Sequence, residues 1–446
     1  MRIAVIGCGF VGLVTGASYA ALSHEVICVD KDERKIARLL QGEIPIHEPV
    51  LQELVIRNMQ TGTLSFTTHL EMAVRMSEII ILAVGTPSLA DGETNLSDME
   101  QAVGDIALCM NGPKTIITKT TVPVGTNHKL QSMLSSLTDE VSIVVSMPEF
   151  LREGSAIRDM LYPDRIVIGT DRPESVEDII DLHRPLTSNI IITDIRSAEM
   201  MKYASNAFLA TKISFINEIA NVCEKVGADV TQVAEGMGYD HRIGPSCLQA
   251  GIGYGGSCFT NDTQALIQIA GSVNYESKLL KSVIDVNREQ RRIIVQKLVQ
   301  LFGQLQGRTI AVWGLAFKPN TDEIWNSPAI DVIRELIALG AAVRACDPLA
   351  LPNFRKHYDH ERVVWCKDAL DAACEAEAIC LLTDWPEFGG YDLARLQQVM
   401  KQPVLIDGRN MYKSSQLDRS DFIYFSIGRP ALNRGLDQAK QGNVHS

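Results

Sequence analysis

One cysteine is set apart by its neighbours. Gly251-Ile252-Gly253-Tyr254-Gly255-Gly256-Ser257-Cys258 runs into Phe259-Thr260-Asn261-Asp262, a glycine loop followed by a plausible helix start. A thiol beside a helix N-terminus is a candidate for a lowered pKa and for nucleophilic use. Asp262 lies four residues on, one helical turn away, where a carboxylate can hold a base or a water. The glycines imply a backbone pressed against a ligand. The other nine cysteines, at 8, 28, 109, 223, 247, 346, 366, 374 and 380, have no such setting. None of the ten shows the paired spacing of a zinc site, so no metal is expected.

A second constellation opens the chain. Gly7-Cys8-Gly9-Phe10-Val11-Gly12 is GxGxxG, placed directly after a strand-like run (2–6) and opening a helical stretch, and Asp30 closes the next strand. Glycines allow the tight turn and the close approach of backbone to a pyrophosphate, whose charge meets the helix N-terminus. Asp30 would accept the ribose hydroxyls and repel a 2′-phosphate, which favours NAD over NADP; Lys31 and Arg34 weaken that preference slightly. The same residues imitate a signal peptide, but the glycine spacing with strand, helix and acid in place argues for dinucleotide binding. Three polar segments end strands where such folds hold ligands: Gly85-Thr86-Pro87, Lys119–Gly125 and Met147–Gly154. Lys202, Asn206, Leu209, Ile213 and Asn217 step 4-3-4-4 and share one helix face, so Lys202 and Asn206 could point into one cleft.

These groups need a scaffold, and the apolar rhythm supplies one. Strand candidates fall at 2–6, 25–29, 78–84, 115–119, 142–146, 165–169 and 189–193, spaced by helical stretches. Buried apolar strands alternating with helices indicate a parallel, doubly wound sheet. A long helix is expected from Ile195 to about Gly227. A second helical stretch follows the glycine-rich segment and runs to about Leu301. The strand–helix rhythm then restarts at 309–314, 342–346, 378–382 and 403–406, and the polar tail after Leu432 is expected to fray. The reading is α/β: two Rossmann-like domains with parallel doubly wound sheets, joined by a long central helical region. The boundaries expected are 1–195, 196–301 and 302–446.

The stretches GCGFVG, GTP, KTTVPVGT, MPEFLREG, AEMMKYASNAFLATKISFINEIA, DHRIG, GIGYGGSCFTNDTQAL, GLAFKPNTDEIWNSPA and DGRN occur in one order and spacing. On them the chain, from residue 1 to about 425, resembles the nucleotide-sugar 6-dehydrogenases of the UDP-glucose dehydrogenase type. GYGGSCF is more similar to the UDP-glucose branch than to the GDP-mannose or UDP-N-acetylmannosamine branches. The resemblance implies two hydride transfers to NAD⁺ that turn a sugar C6 alcohol into a carboxylate, with Cys258 trapping the aldehyde. It implies that Asp262, Thr121 and Glu149 or Glu153 position water and move protons, and that Lys202, with Asn206 beside it, stabilises charge on the C6 oxygen. It places NAD on Gly7, Gly9, Val11, Gly12, Asp30, Lys35, Thr86, Thr121 and Glu153. The UDP-sugar falls to Glu149, Phe150, Leu151, Arg152, Glu153, Lys202, Asn206, Arg242, Gly251, Gly255, Lys318 and Arg409, with Arg242 reaching over from a partner subunit. The implied division is an NAD-binding domain (1–195), a central dimerisation region carrying the cysteine loop (196–301) and a C-terminal UDP-sugar-binding domain (302–446). A homodimer is implied.

Two departures bear on the cofactor. Thr260-Asn261 replaces the Pro-Lys usual after the cysteine, and Trp325 replaces an arginine, both at positions that contact NAD in the family. Two lost cations are expected to weaken NAD binding, and Asn95, often Asp, is peripheral. The readings left open are oxidation of another UDP-hexose and a degenerate paralogue that binds nucleotide sugar without turnover.

Composition narrows the class. The chain has 446 residues, 46% apolar and 22% charged, which excludes disorder and suits two or three domains. Its charge of −12 repels nucleic acid and anionic membranes, so neither is an expected partner, and a polyanionic ligand must meet a local basic pocket. The internal apolar runs are strand-length, short of the ~20 residues of a membrane helix. Scattered cysteines read as reduced and cytoplasmic.

Overall fold

The structure, a computed structural model, describes residues 1–87, 89, 94–417 and 420–431. The tail after Leu432 lies outside the described residues. The chain forms two compact units, one of residues 1–205 and 264–275, the other of 206–263 and 276–446.

The first unit is built on eight strands: β1 Arg2–Ile6, β2 Glu25–Val29, β3 Leu64–Thr67, β4 Ile79–Leu82, β5 Lys114–Thr118, β6 Ser142–Ser146, β7 Ile166–Gly169 and β8 Ile190–Thr193. Their order is β3-β2-β1-β4-β5-β6-β7-β8, the first six in the doubly wound 3-2-1-4-5-6 arrangement. Central strands such as Ile79–Leu82 are buried along their whole length, as a sheet covered on both faces requires. The expectation of a wholly parallel sheet needs one correction. β6 and β7 meet antiparallel, through Ser146 opposite Gly169.

The second unit repeats the arrangement in six strands: β9 Thr309–Trp313, β10 Ala342–Cys346, β11 Val363–Trp365, β12 Ala378–Leu381, β13 Val404–Asp407 and β14 Ile423–Ser426. Their order is β11-β10-β9-β12-β13-β14, parallel throughout. Trp313, Phe354, Phe388, Tyr412 and Tyr424 fill its core. Three strands, β3, β11 and β14, are absent from the sequence expectation.

The long helix spans Ile195–Val226, and Gly227 ends it with φ +76°, a left-handed stop that suits glycine. The second helical stretch is three helices: Ser257–Ser272, Lys278–Gln290 and Ile293–Phe302. The first break comes at Asn274, whose φ of +60° lets Tyr275 N–H close on Ala270 O.

Candidate active site

In the first unit the dinucleotide turn is dictated by its glycines. Gly7 has φ +101°, donates its N–H to Val29 O at 2.8 Å, and a Cβ there would meet Ala83 O at 2.6 Å. A Cβ on Gly12 would run into Gly7 O. Gly9 is different: a Cβ there meets nothing within 4 Å. Gly9 also caps the helix Phe10–Ala21 without a side-chain hydrogen bond, so the first-turn N–H groups around Val11 face a space a pyrophosphate can take. Asp30 accepts from Cys8 N–H at 2.9 Å, Asp32 N–H at 3.0 Å and Lys35 Nζ at 2.7 Å. Burial opposes its ionisation, yet Lys35 and the two N–H groups hold its carboxyl below the ordinary value. It is a carboxylate with lone pairs to spare for ribose hydroxyls. These residues fit NAD.

Thr86 Oγ1 donates to Thr121 O at 3.1 Å, which joins two of the strand-end segments. Glu199 takes the N–H groups of Gly125 and Asn127 at 2.5 and 2.9 Å and so fixes the end of the Thr121 loop. The segment after β6 is tied down from several sides. Glu149 accepts Lys202 Nζ on Oε1 at 2.7 Å and on its main-chain O at 2.8 Å, and its Oε2 takes Leu151 N–H. The Phe150 ring carries the Arg165 guanidinium 3.8 Å from its centre and Lys202 Nζ at 5.6 Å. Arg152 pairs with Asp159, at 2.6 Å. Beyond half-buried Glu153, buried Glu48 accepts Gly154 N–H at 2.7 Å and Ala156 N–H at 2.8 Å. Glu48, Glu199 and Arg165 are positioning residues that the sequence reading missed. The partners of Glu48 and Glu199 lie more than 70 residues away, and that of Arg165 is 15 residues off, so no local pattern signals them.

The second unit carries the thiol. Cys258 is exposed, the second residue of the helix Ser257–Ser272, with its Sγ 3.9 Å from Ser257 Oγ. Asp262, one turn on, is buried and accepts Asn206 Nδ2 at 2.5 Å. Asn206 itself stands one turn after Lys202 on the long helix. The glycine loop ahead of the thiol is closely packed. Gly253, at φ +87°, sits 2.5 Å (Cβ position) from Asn287 Oδ1, and a Cβ on Gly255 would meet Asn326 O at 2.5 Å. Gly251 N–H donates to Asn217 Oδ1 at 2.8 Å.

Arg409 donates to Gly253 O at 3.0 Å and Leu382 O at 2.7 Å, and its buried Nη2 has no hydrogen-bond partner among the described residues. Lys318 Nζ lies 5.2 Å from the Phe317 ring centre, and that ring packs on Gly256. Arg242 is exposed and folded back on Asp240 at 2.6 Å.

The second sheet has its own glycine turn, with Gly314 at φ +97°, and its own acid at the end of β10. Asp347 is filled from within. It accepts the N–H groups of Leu315, Ala316, Leu349 and Ala350 and the Trp385 indole, at 2.7–3.1 Å.

Residues 1–187 match the NAD-binding domain of the UDP-glucose/GDP-mannose dehydrogenase family, 196–289 its central domain and 311–414 its UDP-binding domain. The chain belongs to this family. It is 48% identical over 438 residues to the UDP-glucose 6-dehydrogenase TuaD of Bacillus subtilis, covering 98% of this chain and 95% of that one. It is 45% identical to a UDP-glucose 6-dehydrogenase of Rhizobium meliloti, covering 96% and 100%. A UDP-glucose dehydrogenase from Pyrobaculum islandicum superimposes with a TM-score of 0.89 at 34% identity, covering 96% and 98%. Membership makes this chain an NAD-dependent oxidoreductase of the α/β, Rossmann-like class. The family's NAD-binding match contains the Gly7–Gly12 turn, Asp30, Thr121 and Glu149; its central match contains Lys202, Asn206, Cys258 and Asp262; its UDP-binding match contains Lys318 and Arg409. No helix among the described residues is long and apolar enough to cross a membrane.

Proposed function

We propose that this protein is a UDP-glucose 6-dehydrogenase that oxidises the C6 alcohol to the carboxylate of UDP-glucuronate. The observation that carries the reading is an exposed thiol, Cys258, one turn from a buried carboxylate, Asp262, that Asn206 holds in place. A plain alcohol dehydrogenase needs no nucleophile; a four-electron oxidation needs one to hold the aldehyde-level intermediate.

The Gly7–Gly12 turn, Asp30, Lys35 and Thr86 would hold NAD⁺, which would supply a hydride acceptor, one molecule for each of the two oxidations of the sugar carbon. Lys202, anchored on Glu149, donates to the C6 oxygen as negative charge develops there. Cys258 Sγ adds to the aldehyde carbon while the thiol proton passes to the carbonyl oxygen, giving a thiohemiacetal. Loss of hydride leaves a thioester. Asp262, with Thr121 and Glu149 or Glu153, orients and deprotonates the water that cleaves it, and the thiolate departs. One alcohol, one water and two NAD⁺ thus give one carboxylate, two NADH and three protons. The UDP-sugar is assigned to the 149–153 segment, Gly251, Gly255, Lys318 and Arg409, whose unpartnered Nη2 suits an anionic or carbonyl oxygen.

The three-part division at 1–195, 196–301 and 302–446 is proposed as NAD-binding, dimerising and UDP-sugar-binding. A homodimer is supported by Phe208 (65% exposed), Phe215 and Val222, apolar side chains seven residues apart on one face of the long helix. Arg242, exposed on its own chain, then serves the partner's sugar site. Ten cysteines outside any disulfide, eight of them wholly or partly buried, favour the cytoplasm.

A panel of UDP- and GDP-sugars, with NADH counted per sugar consumed, tests the reading. Two NADH per UDP-glucose and no free aldehyde are expected. A ratio of one, with aldehyde trappable in solution, refutes it, and a preference for another sugar reassigns the substrate.

A further inference from the structure

Lys119 stands at the end of β5 and is 6% exposed. Its own N–H continues the sheet by donating to Leu82 O at 3.0 Å. Thr118 faces Ser146 in the β5–β6 register and its carbonyl takes Met147 N–H at 2.9 Å, so Lys119 lies beside the start of the segment that carries Glu149. Its ammonium makes no hydrogen bond or ion pair with any described residue. A buried ammonium with no bonded partner is costly, and the mechanism above gives it no task.

Three titratable groups face it. Glu149 on the β6 segment attracts its charge, and Lys202 on the long helix repels it. His183, on the helix Glu177–His183, also feels it. His183 is kept neutral by burial and by the Lys119 charge, against its bond to Ile179 O (2.7 Å), which favours the protonated ring, and its Nε2 lies 2.6 Å from Tyr19 Oη. The cluster is therefore two ammonium groups around one carboxylate, and of the two only Lys202 is bonded to it.

We propose that Lys119 is a positioning residue: its ammonium competes for Glu149 and repels Lys202, which loosens the Glu149–Lys202 pair enough for Lys202 to turn an N–H toward the substrate oxygen. When Lys119 is neutral, its opposition to that pair is gone and Lys202 stays on Glu149. Burial brings the Lys119 ammonium down to about 8, so the device operates within the physiological range. This inference rests on the reading of the reaction given above.

The test is the pH profile of kcat, at saturating NAD⁺ and UDP-glucose, for the wild type, Lys119→Arg and Lys119→Met. Wild-type kcat is expected to fall as Lys119 loses its proton. Lys119→Arg, charged throughout, should hold its neutral-pH rate past that point. Lys119→Met should be roughly tenfold slower at neutral pH, the effect of ~1.4 kcal/mol, with no inflection and an unchanged KM for UDP-glucose. An active wild type whose inflection survives in both variants, or variants altered only in KM, overturn the proposal alone. If Lys119→Met does not fold, the Lys119→Arg profile still decides. A wild type that makes no NADH from UDP-glucose fails the reading of the reaction, and this inference falls with it.

Discussion

Replacing Cys258 by serine keeps a nucleophile at the helix start but worsens its leaving group. The alkoxide of an ester departs far less readily than a thiolate, so hydrolysis should become limiting. Turnover is expected to slow or stop, with a covalent sugar adduct visible by intact-mass spectrometry; wild-type rates would remove Cys258 from the mechanism. Asn261 and Trp325 stand where the resemblance places cations beside NAD. Trp325 is 59% exposed, and its carbonyl takes the thiol loop's Gly256 N–H at 3.0 Å. Asn261→Lys with Trp325→Arg should therefore lower KM for NAD⁺ about tenfold, the effect of ~1.4 kcal/mol, and leave KM for UDP-glucose unchanged. No gain in a titration of NAD⁺ would mean that Trp325 already compensates. Val50 carries a strain of a different kind. It is a β-branched residue at φ +69°, capping the helix Leu51–Gln60 and exposed. Left-handed geometry costs such a residue roughly 1–2 kcal/mol, partly offset by the looser unfolded chain of glycine. Val50→Gly should raise the urea unfolding free energy by about 1 kcal/mol.

The glycine loop 251–256 behaves as one element whose shape depends on its lack of side chains. A Cβ on Gly255 would lie 2.5 Å from Asn326 O and 3.0 Å from Phe317 Cβ, both part of rigid surroundings. Gly255→Ala should cost on the order of 1–3 kcal/mol of stability and reduce kcat, read by melting and by NADH production; an unperturbed variant would deny the loop its tight packing. This loop was legible in the sequence because its signal is local, a run of glycines ahead of a cysteine. So was the Gly7–Gly12 turn, and so was the long helix, bounded by Gly227. Strands β3, β11 and β14 were not legible. β3 and β11 are short edge strands of four and three residues, and β14, at the far edge, alternates buried with half-buried residues. The carboxylates of Glu48 and Glu199, which fix the 149–156 and 121–127 segments, were also invisible, since each acts across 70 residues or more.

At the scale of the molecule, two bulk properties can be tested. If a second copy covers Phe208, Phe215 and Val222, Phe215→Asp should yield monomers by light scattering and lose activity along with the partner's Arg242; a dimeric Phe215→Asp would place the interface elsewhere. Stability should also depend on pH through His183. Burial lowers its pKa from 6.5 to about 3, so the folded chain resists a proton that the unfolded chain accepts. Between those limits the unfolded state binds more protons, and stability is lost as pH falls, by up to ~1.4 kcal/mol per pH unit from this group. Urea titrations should show that fall, and a shallower one in His183→Gln. A final consequence follows from Asp347. The chain uses one strand order twice, and a protein engineer could be tempted to graft a GxGxxG turn onto Gly314 to load a second cofactor. The attempt should fail, because the acid that would greet the ribose is already occupied by five donors of its own sheet. Emptying it would strip the β9 turn, the start of the Leu351–Tyr358 segment and the Trp385 loop of their common anchor. The second half has exchanged a reader of ligands for a rivet.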